Sequence, residues 1–294
     1  STSWRTEPLP WGMKGGLSAA LLAWAGTVTI AAVKLQLLSD LHLETESFDP
    51  LPAPGADLLV LAGDIDATWA GYERFAHWPV PVLVVAGNHE FDGREWHAAW
   101  PAFRRHCDAL GLRLLERQAC VITAADGQRV RFLGTVRWSD FDVLGPARHE
   151  RALRAAAYFQ REMAATIDGA PFDAQQVRLQ AQACRAWLEQ ALHEPAADAW
   201  DATVAVTHFA PSLRSADPRF GPQPSTASFC NADDTLIPSA DLWLHGHLHC
   251  RLDYTVERPG GGHTRVVSHA RGLAGKGEAR GHDAQRLIEV PSRD

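Results

Sequence analysis

Five short apolar runs in this chain each stop at a polar side chain. LQLL is followed by Ser39-Asp40-Leu41-His42, LLVLA by Gly63-Asp64, and VLVVA by Gly87-Asn88-His89-Glu90. TVAVT is followed by His208, and DLWL by His245-Gly246-His247-Leu248-His249. Apolar runs this short, bounded by turn residues, read as buried strands, since a helix needs more length to bury a face. Helical periodicity fills several intervals between them. Strand–helix alternation followed by several strands at the C-terminal end suggests an α/β fold with a mixed sheet, as two sheets in layers.

Strands are expected at 34–38, 57–62, 80–86, 119–123, 129–134, 203–207, 241–245, 252–256, 264–268 and 287–290, and helices at 71–78, 94–110, 147–167 and 173–193. In the last helix Asp173 is the expected N-cap, and Val177, Leu179, Ala183, Trp187, Leu188, Ala191 and Leu192 recur at helical spacing. Pro101 should kink or split the 94–110 helix, because it removes a backbone donor and crowds the preceding turn. Residues 209–240 form a long polar loop rich in Pro, Ser and Asp. A loop of that length in a compact domain is functional or mobile, with a solvated connection as the plain alternative. No internal repeat or low-complexity linker interrupts residues 34–294, which are expected to form one domain.

Residues 1–33 read as an N-terminal extension. Met13-Lys14 precede a stretch without charge, Leu17 to Val33. Upstream or vector-derived sequence, a signal peptide or membrane anchor, and a native helix packed on the domain are the three origins open to it. Cleavage near Ala32 would leave no linker before the strand at Lys34, which favours upstream sequence and a domain starting at Val33. The expected location is therefore the cytoplasm, with export or anchoring through residues 13–33 as the alternative. Membrane association is expected only if residues 14–33 are native.

The net charge of −7 disfavours a nonspecific nucleic-acid binder, which would carry a basic stripe. An anionic substrate stays open, because bound metal ions can invert a local field. Lysine occurs only at 14, 34 and 276. The five cysteines (107, 120, 184, 230 and 250) are scattered without a C-x-x-C pair. That argues against a disulfide framework and a thiolate zinc site, and for a reducing compartment.

Taken singly, each polar strand end has an ordinary explanation: Asp64 and Asn88 as turn residues, His208 as a hydrogen-bonded core residue. Taken together they share one address, since ligands of open α/β sheets collect outside the carboxyl ends of the strands. Asp40 and His42 are two apart, as are His247 and His249; if the chain stays extended, each pair points to one side. Imidazole and carboxylate suit Zn, Mn and Fe. The set holds enough ligands for two metals, with positions left for water and substrate, the arrangement that clamps an in-line attack at phosphorus.

The order D-x-H, G-D, G-N-H-E, H and G-H-x-H, spread from Lys34 to about Arg271, resembles the calcineurin-like metallophosphoesterase family, in its bacterial stand-alone branch. The resemblance implies a four-layer α/β/β/α sandwich of two mixed sheets, the metallophosphatase fold. It implies that Asp40, His42, Asp64 and His249 hold one metal and that Asp64, Asn88, His208 and His247 hold the other, with Asp64 bridging. The metals would be two divalent or trivalent ions, Mn and/or Fe, with Zn as an alternative. A hydroxide between the metals would attack phosphorus, and His89 would contact the phosphate and protonate the leaving oxygen. Glu90 and Glu44 are expected to orient neighbours, and His245 to serve a structural or supporting role. Trp138-Ser139-Asp140-Phe141 resembles a Trp-Thr-Asp-Phe segment of relatives, which makes Asp140 a pocket candidate, with core packing as the alternative for Trp138. Arg214 and Arg271 are candidate anion contacts.

Two departures stand out. Relatives carry Asn-Pro-Arg-Gly where this chain reads His269-Ala270-Arg271-Gly272, and the segment GLAGKGEARGH has no assigned role. The expected activity is phosphoester hydrolysis, a diester favoured over a monoester. The alternatives are a phosphoprotein or nucleotide phosphatase, a nuclease, and a scaffold that binds metal without catalysis. The partner would be a small phosphoester or a phosphoprotein, without a stable nucleic-acid partner. Residues 135–170 and 209–240 are expected to discriminate among substrates.

Overall fold

The fully buried runs VLVV and LLVLA leave no face for solvent, so each must lie inside a layered sheet. A computed structural model describes residues 32–124, 127–196 and 199–291. The expectation for the N-terminal extension falls, up to residue 31, outside the described residues. The strands are β1 (Lys34–Leu38), β2 (Leu58–Ala62), β3 (Val82–Val85), β4 (Arg113–Leu114), β5 (Gln118–Thr123), β6 (Arg129–Thr135), β7 (Thr166–Ile167), β8 (Ala170–Pro171), β9 (Ala202–Thr207), β10 (Leu242–His245), β11 (Arg251–Glu257), β12 (His263–His269) and β13 (Leu287–Glu289). The helices are α1 (Trp96–Ala109), α2 (His149–Met163) and α3 (Ala174–His193).

Two mixed sheets result. The first runs β13-β1-β2-β3-β4 and is parallel except for β13; the second runs β11-β12-β10-β9-β6-β5, with parallel β12, β10, β9 and β6 flanked by antiparallel edges. Alternate residues sort to opposite faces, as the two-residue period demands. Leu35, Leu37, Val60, Leu83 and Val85 of the first sheet meet Phe132, Val204, Val206, Leu244 and Val267 of the second. Their neighbours Leu59, Leu61, Val82 and Val84 face outward to Phe103 and Cys107 of α1. On the far side Leu133, Ala205, Trp243 and Val266 pack on Leu188, Ala191 and Leu192 of α3. This is the expected helix–sheet–sheet–helix order.

The ten expected strands are all present. The short strands β4, β7 and β8 were not expected, because two residues carry no readable period. The 71–78 segment is a 3₁₀ turn, Ala70–Phe75, rather than a helix of full length. Pro101 does not split its helix: α1 runs unbroken through it. Pro101 lies early in α1, so it forfeits one hydrogen bond to the preceding turn, and Glu95 caps the start through Ala98 N at 2.8 Å. Asp173 caps α3, accepting from Gln175 N and Gln176 N. The long loop is structured: it holds the 3₁₀ turns Leu213–Ser215, Pro224–Ser228 and Ile237–Ser239. Its residue Asp233 is clamped by Arg137, with Nε and Nη2 at 2.8 and 2.9 Å from the two carboxylate oxygens, and all these groups are buried. All five cysteines are free.

Candidate metal centre

The strand ends of both sheets open to one side. Asp40 follows β1, Asp64 follows β2, Asn88 follows β3, His208 follows β9, and His247 and His249 follow β10. The chain does not stay extended there, contrary to the expectation for the two-apart pairs. Asp40, His42, Asp64, His247 and His249 all have left-handed backbones, with φ of 54°, 47°, 53°, 69° and 49°. Non-glycine residues in that region cost free energy and persist where surrounding contacts over-determine them, as at functional sites. The turns also pack closely. A Cβ at Gly87 would meet Asp64 N at 2.6 Å, and one at Gly246 would meet Asp40 Oδ2 at 2.6 Å.

Two groups of donors form. Asp40, His42 and His249 make one, and Asp64, His208 and His247 the other; within each, one donor atom per residue lies within 4.8 Å of the rest. So Asp40 and His42 converge on one group, while His247 and His249 part to different groups. His42 Nδ1 lies 3.1 Å from Glu44 and His249 Nδ1 lies 2.7 Å from Glu278. A carboxylate only accepts, so each Nδ1 carries the proton, and the two Nε2 lone pairs face one another at 3.0 Å. In the other group His208 Nδ1 donates to Ala62 O at 2.8 Å, which turns its Nε2 lone pair toward Asp64 Oδ2 at 3.1 Å. The buried His208 Nε2 and Asn88 Oδ1 have no hydrogen-bond partner. Acceptors that face acceptors at these distances require a cation or a proton between them, so the residues present fit bound metals.

The electrostatics agree. Burial alone would raise the Asp64 carboxyl, but His208 and His89 hold it well below the usual range. Burial would lower His208, but Asp64 outweighs it and pushes the imidazole to about 9, so a proton there would do the work of a cation. Burial, reinforced by His208, keeps His247 well below its ordinary value and thus neutral; its Nε2 meets Ser228 O at 3.1 Å.

The expected supporting residues divide. Glu90 is buried and accepts from the backbone N–H of Asp64, Ile65 and Gly87 at 3.0, 2.8 and 2.6 Å, and from Tyr72 OH at 2.9 Å. It ties the turns after β2 and β3 into one piece. Glu44 accepts from Ala67 N at 3.0 Å with its second oxygen, so it holds His42 against the β2 turn. His245 is buried between Ser215 Oγ and Gly246 O, at 3.0 and 3.1 Å, and burial lowers it to about 4. Asp140 pairs with Arg137 at 2.9 Å and lies behind the cavity wall. Arg214 stacks on Tyr254 and donates to Thr255 O at 2.8 Å, and Arg271 pairs with Glu46 at 2.9 Å; neither lines the cavity. The backbone around Arg271 instead supports the end of β1, with Arg271 N on Ser39 O and Gly272 N on Asp40 O.

Two residues escaped sequence reasoning. Glu278 lies in the segment without an assigned role, and only the fold brings it to His249. Asp92 meets His89 Nδ1 at 2.7 Å, and its spacing of three from His89 was a readable signal. The His89 backbone N–H donates to Asp64 Oδ1 at 2.9 Å. Burial opposes charge on His89, but Asp64 and then Asp92 carry it to about 10 from the protein's own groups; bound cations would pull the value back down.

Both donor groups open on a cavity of about 680 Å³. Its walls come from α2 (Phe159, Met163), the 216–229 stretch of the long loop and the Trp138–Phe141 segment, with Leu273, Lys276 and Glu278 at the rim.

The model of the calcineurin-like phosphoesterase family matches residues 35–251. The chain belongs to that family, and with it to the metal-dependent phosphoester hydrolases. Among solved structures it is similar to the phosphopantetheinyl hydrolase from Mycobacterium tuberculosis, at 20% identity and a TM-score of 0.64, covering 89% of this chain and 97% of that one. A search of curated proteins found no match. Among the described residues no helix is long and apolar enough to cross a membrane.

Proposed function

We propose that the protein hydrolyses a small phosphodiester. One metal would be held by Asp40, His42, His249 and Asp64, and a second by Asp64, Asn88, His208 and His247. The observation that carries this is the pair of donor groups whose lone pairs face each other at the mouth of one cavity. Two such ions, Mn and/or Fe or alternatively Zn, would supply positive charge that polarises the phosphoryl group and acidifies a water. Glu44, Glu278, Ala62 O and Ser228 O orient the four imidazoles, and Glu90 holds Asp64. In the reaction the water would release one proton to solvent and its oxygen would bond to phosphorus as the bond from phosphorus to the leaving oxygen breaks; His89 would give that oxygen its proton and be reprotonated from solvent. Asp92 holds His89 through Nδ1, so the proton transferred is the one on Nε2. The preference for a diester rests on charge. Among the described residues Lys276 is the one Lys or Arg that lines the cavity, against Glu44, Asp92, Glu162 and Glu278, while Asp217 on the same wall is paired with Arg219. A singly charged diester meets less repulsion there than a doubly charged monoester.

The test is turnover of a mono- and a diester with the same nitrophenyl leaving group by Mn-loaded protein, with Asp64→Ala as control. Diester turnover that disappears in the control is expected. Cleavage of the monoester alone would reverse the preference, and cleavage of neither would remove the proposed site.

A further inference from the structure

The cavity is larger and more apolar than a phosphate requires. About 680 Å³ is the size of a site for a whole organic ligand. Trp138, Phe159, Met163, Phe209, Phe220 and Phe229 line it. The aromatic rings form a track that begins at the donor groups. Phe209 and Phe229 lie 4.1 and 4.9 Å from the ring of His247, Phe159 lies 5.1 Å from Phe229, and Tyr158 lies 5.4 Å from Phe159. The outer end of the track is open to water. Among the described residues few large apolar side chains are exposed; of these Phe159 (37%) and Phe220 (65%) line the cavity and Tyr158 (56%) packs on Phe159. Exposed apolar side chains scattered singly need no explanation, but a cluster continuous with a catalytic cavity marks a binding surface. Among the described residues the wall is also poor in cations, with Lys276 the one Lys or Arg lining it against several carboxylates, which disfavours a polyphosphate or a second anionic group.

We infer that the substrate is a phosphoester carrying one long, uncharged apolar group, seated along Phe229, Phe159 and Phe220 while the phosphate sits at the donor groups. This rests on the proposed hydrolase site. Burying each additional methylene along the track strengthens binding, and the gain is realised only if the wall aromatics are present.

The experiment compares octyl and methyl 4-nitrophenyl phosphate, both below micelle-forming concentration, on the Mn-loaded full chain. Calorimetric binding of octylphosphonate and methylphosphonate runs in parallel. The octyl ester is expected to exceed the methyl ester in kcat/KM by roughly 10- to 100-fold. That ratio should collapse toward one in Phe159→Ser and Phe220→Ser; as an internal ratio it does not depend on how much enzyme is folded. Equal kcat/KM for both esters with equal phosphonate affinities would overturn the inference and leave the hydrolase site standing. No turnover of either ester, with octylphosphonate still bound more tightly and the preference lost in Phe159→Ser, would uphold the apolar track and overturn the proposed reaction. No turnover with equal phosphonate affinities would overturn both.

Discussion

His89 is held at two points, its backbone on Asp64 and its Nδ1 on Asp92, so its remaining nitrogen is fixed relative to both donor groups. A group that only protonates a leaving oxygen is dispensable for metal binding. His89→Ala should therefore keep its metal content and lose about 10²–10⁴-fold in kcat, most with alkyl leaving groups that need a proton. Asp92→Asn should lose less, on the order of 10–100-fold, as for removal of an orienting partner. Metal analysis and turnover across a series of leaving groups check both, and unchanged alkyl-ester turnover in His89→Ala would end the assignment. The Asn-His pair was legible only in company: alone Asn88 reads as a turn residue, and the five polar strand ends together carried the resemblance that gave Asn88 and His89 their expected roles. Glu278 was not, because its partner His249 lies far away in sequence and nothing local marks that carboxylate.

At the scale of elements, the strands were legible and their exits were not. Period and apolar content located every long strand, yet neither encodes a left-handed turn at Asp40 or His247, where an extended chain was the natural expectation. That conformation depends on packing between turns, as the close approach of Gly87 to Asp64 shows. The wall elements are fastened separately. Arg137 joins the end of β6 to Asp140 and, across the fold, to Asp233 of the long loop. Burial would raise the Asp140 carboxyl, but Arg137 lowers it further than burial raises it. A carboxyl with a depressed folded value contributes stability above its unfolded pKa of about 3.9, and the contribution is lost as pH falls through the folded value. Asp140→Asn should thus lower stability at neutral pH and flatten the loss between pH 4 and the lower folded value, to about the extent this one carboxyl contributes. Urea titrations at several pH values check this, and parallel acid slopes in the two proteins would show that the pairing does not contribute.

At the scale of the molecule, the first sheet supplies Asp40, His42, Asp64 and Asn88 and the second supplies His208, His247 and His249. Metals held by both sets would bridge the two sheets. A ligand bound only by the folded state stabilises it by mass action, about 4 kcal/mol at a thousandfold excess over Kd. At that excess chelation should lower Tm by roughly 8–16 °C, at about 2–4 °C per kcal/mol for a domain of this size. Scanning calorimetry with and without chelator checks it; Asp64→Ala should show little further change, and an unaltered Tm in the parent would argue against bridging. Element alternation gave the α/β class and layered sheets, the helix–sheet–sheet–helix order came from the resemblance carried by the strand-end motifs, and the identity of the cavity wall needed the fold, since α2 and the long loop meet only in three dimensions.

The proposed donors all sit on strand exits, while α2 and the 216–229 stretch supply Phe159, Met163, Phe220 and Phe229 of the apolar wall and none of the donors. On the proposed reading, chemistry and substrate choice are therefore written largely on different parts of the chain. A mutagenesis library confined to those two wall segments and sparing Ser228, whose carbonyl holds His247, could retool which esters enter while leaving the proposed donors untouched, and gene duplicates could diverge in diet by the same route.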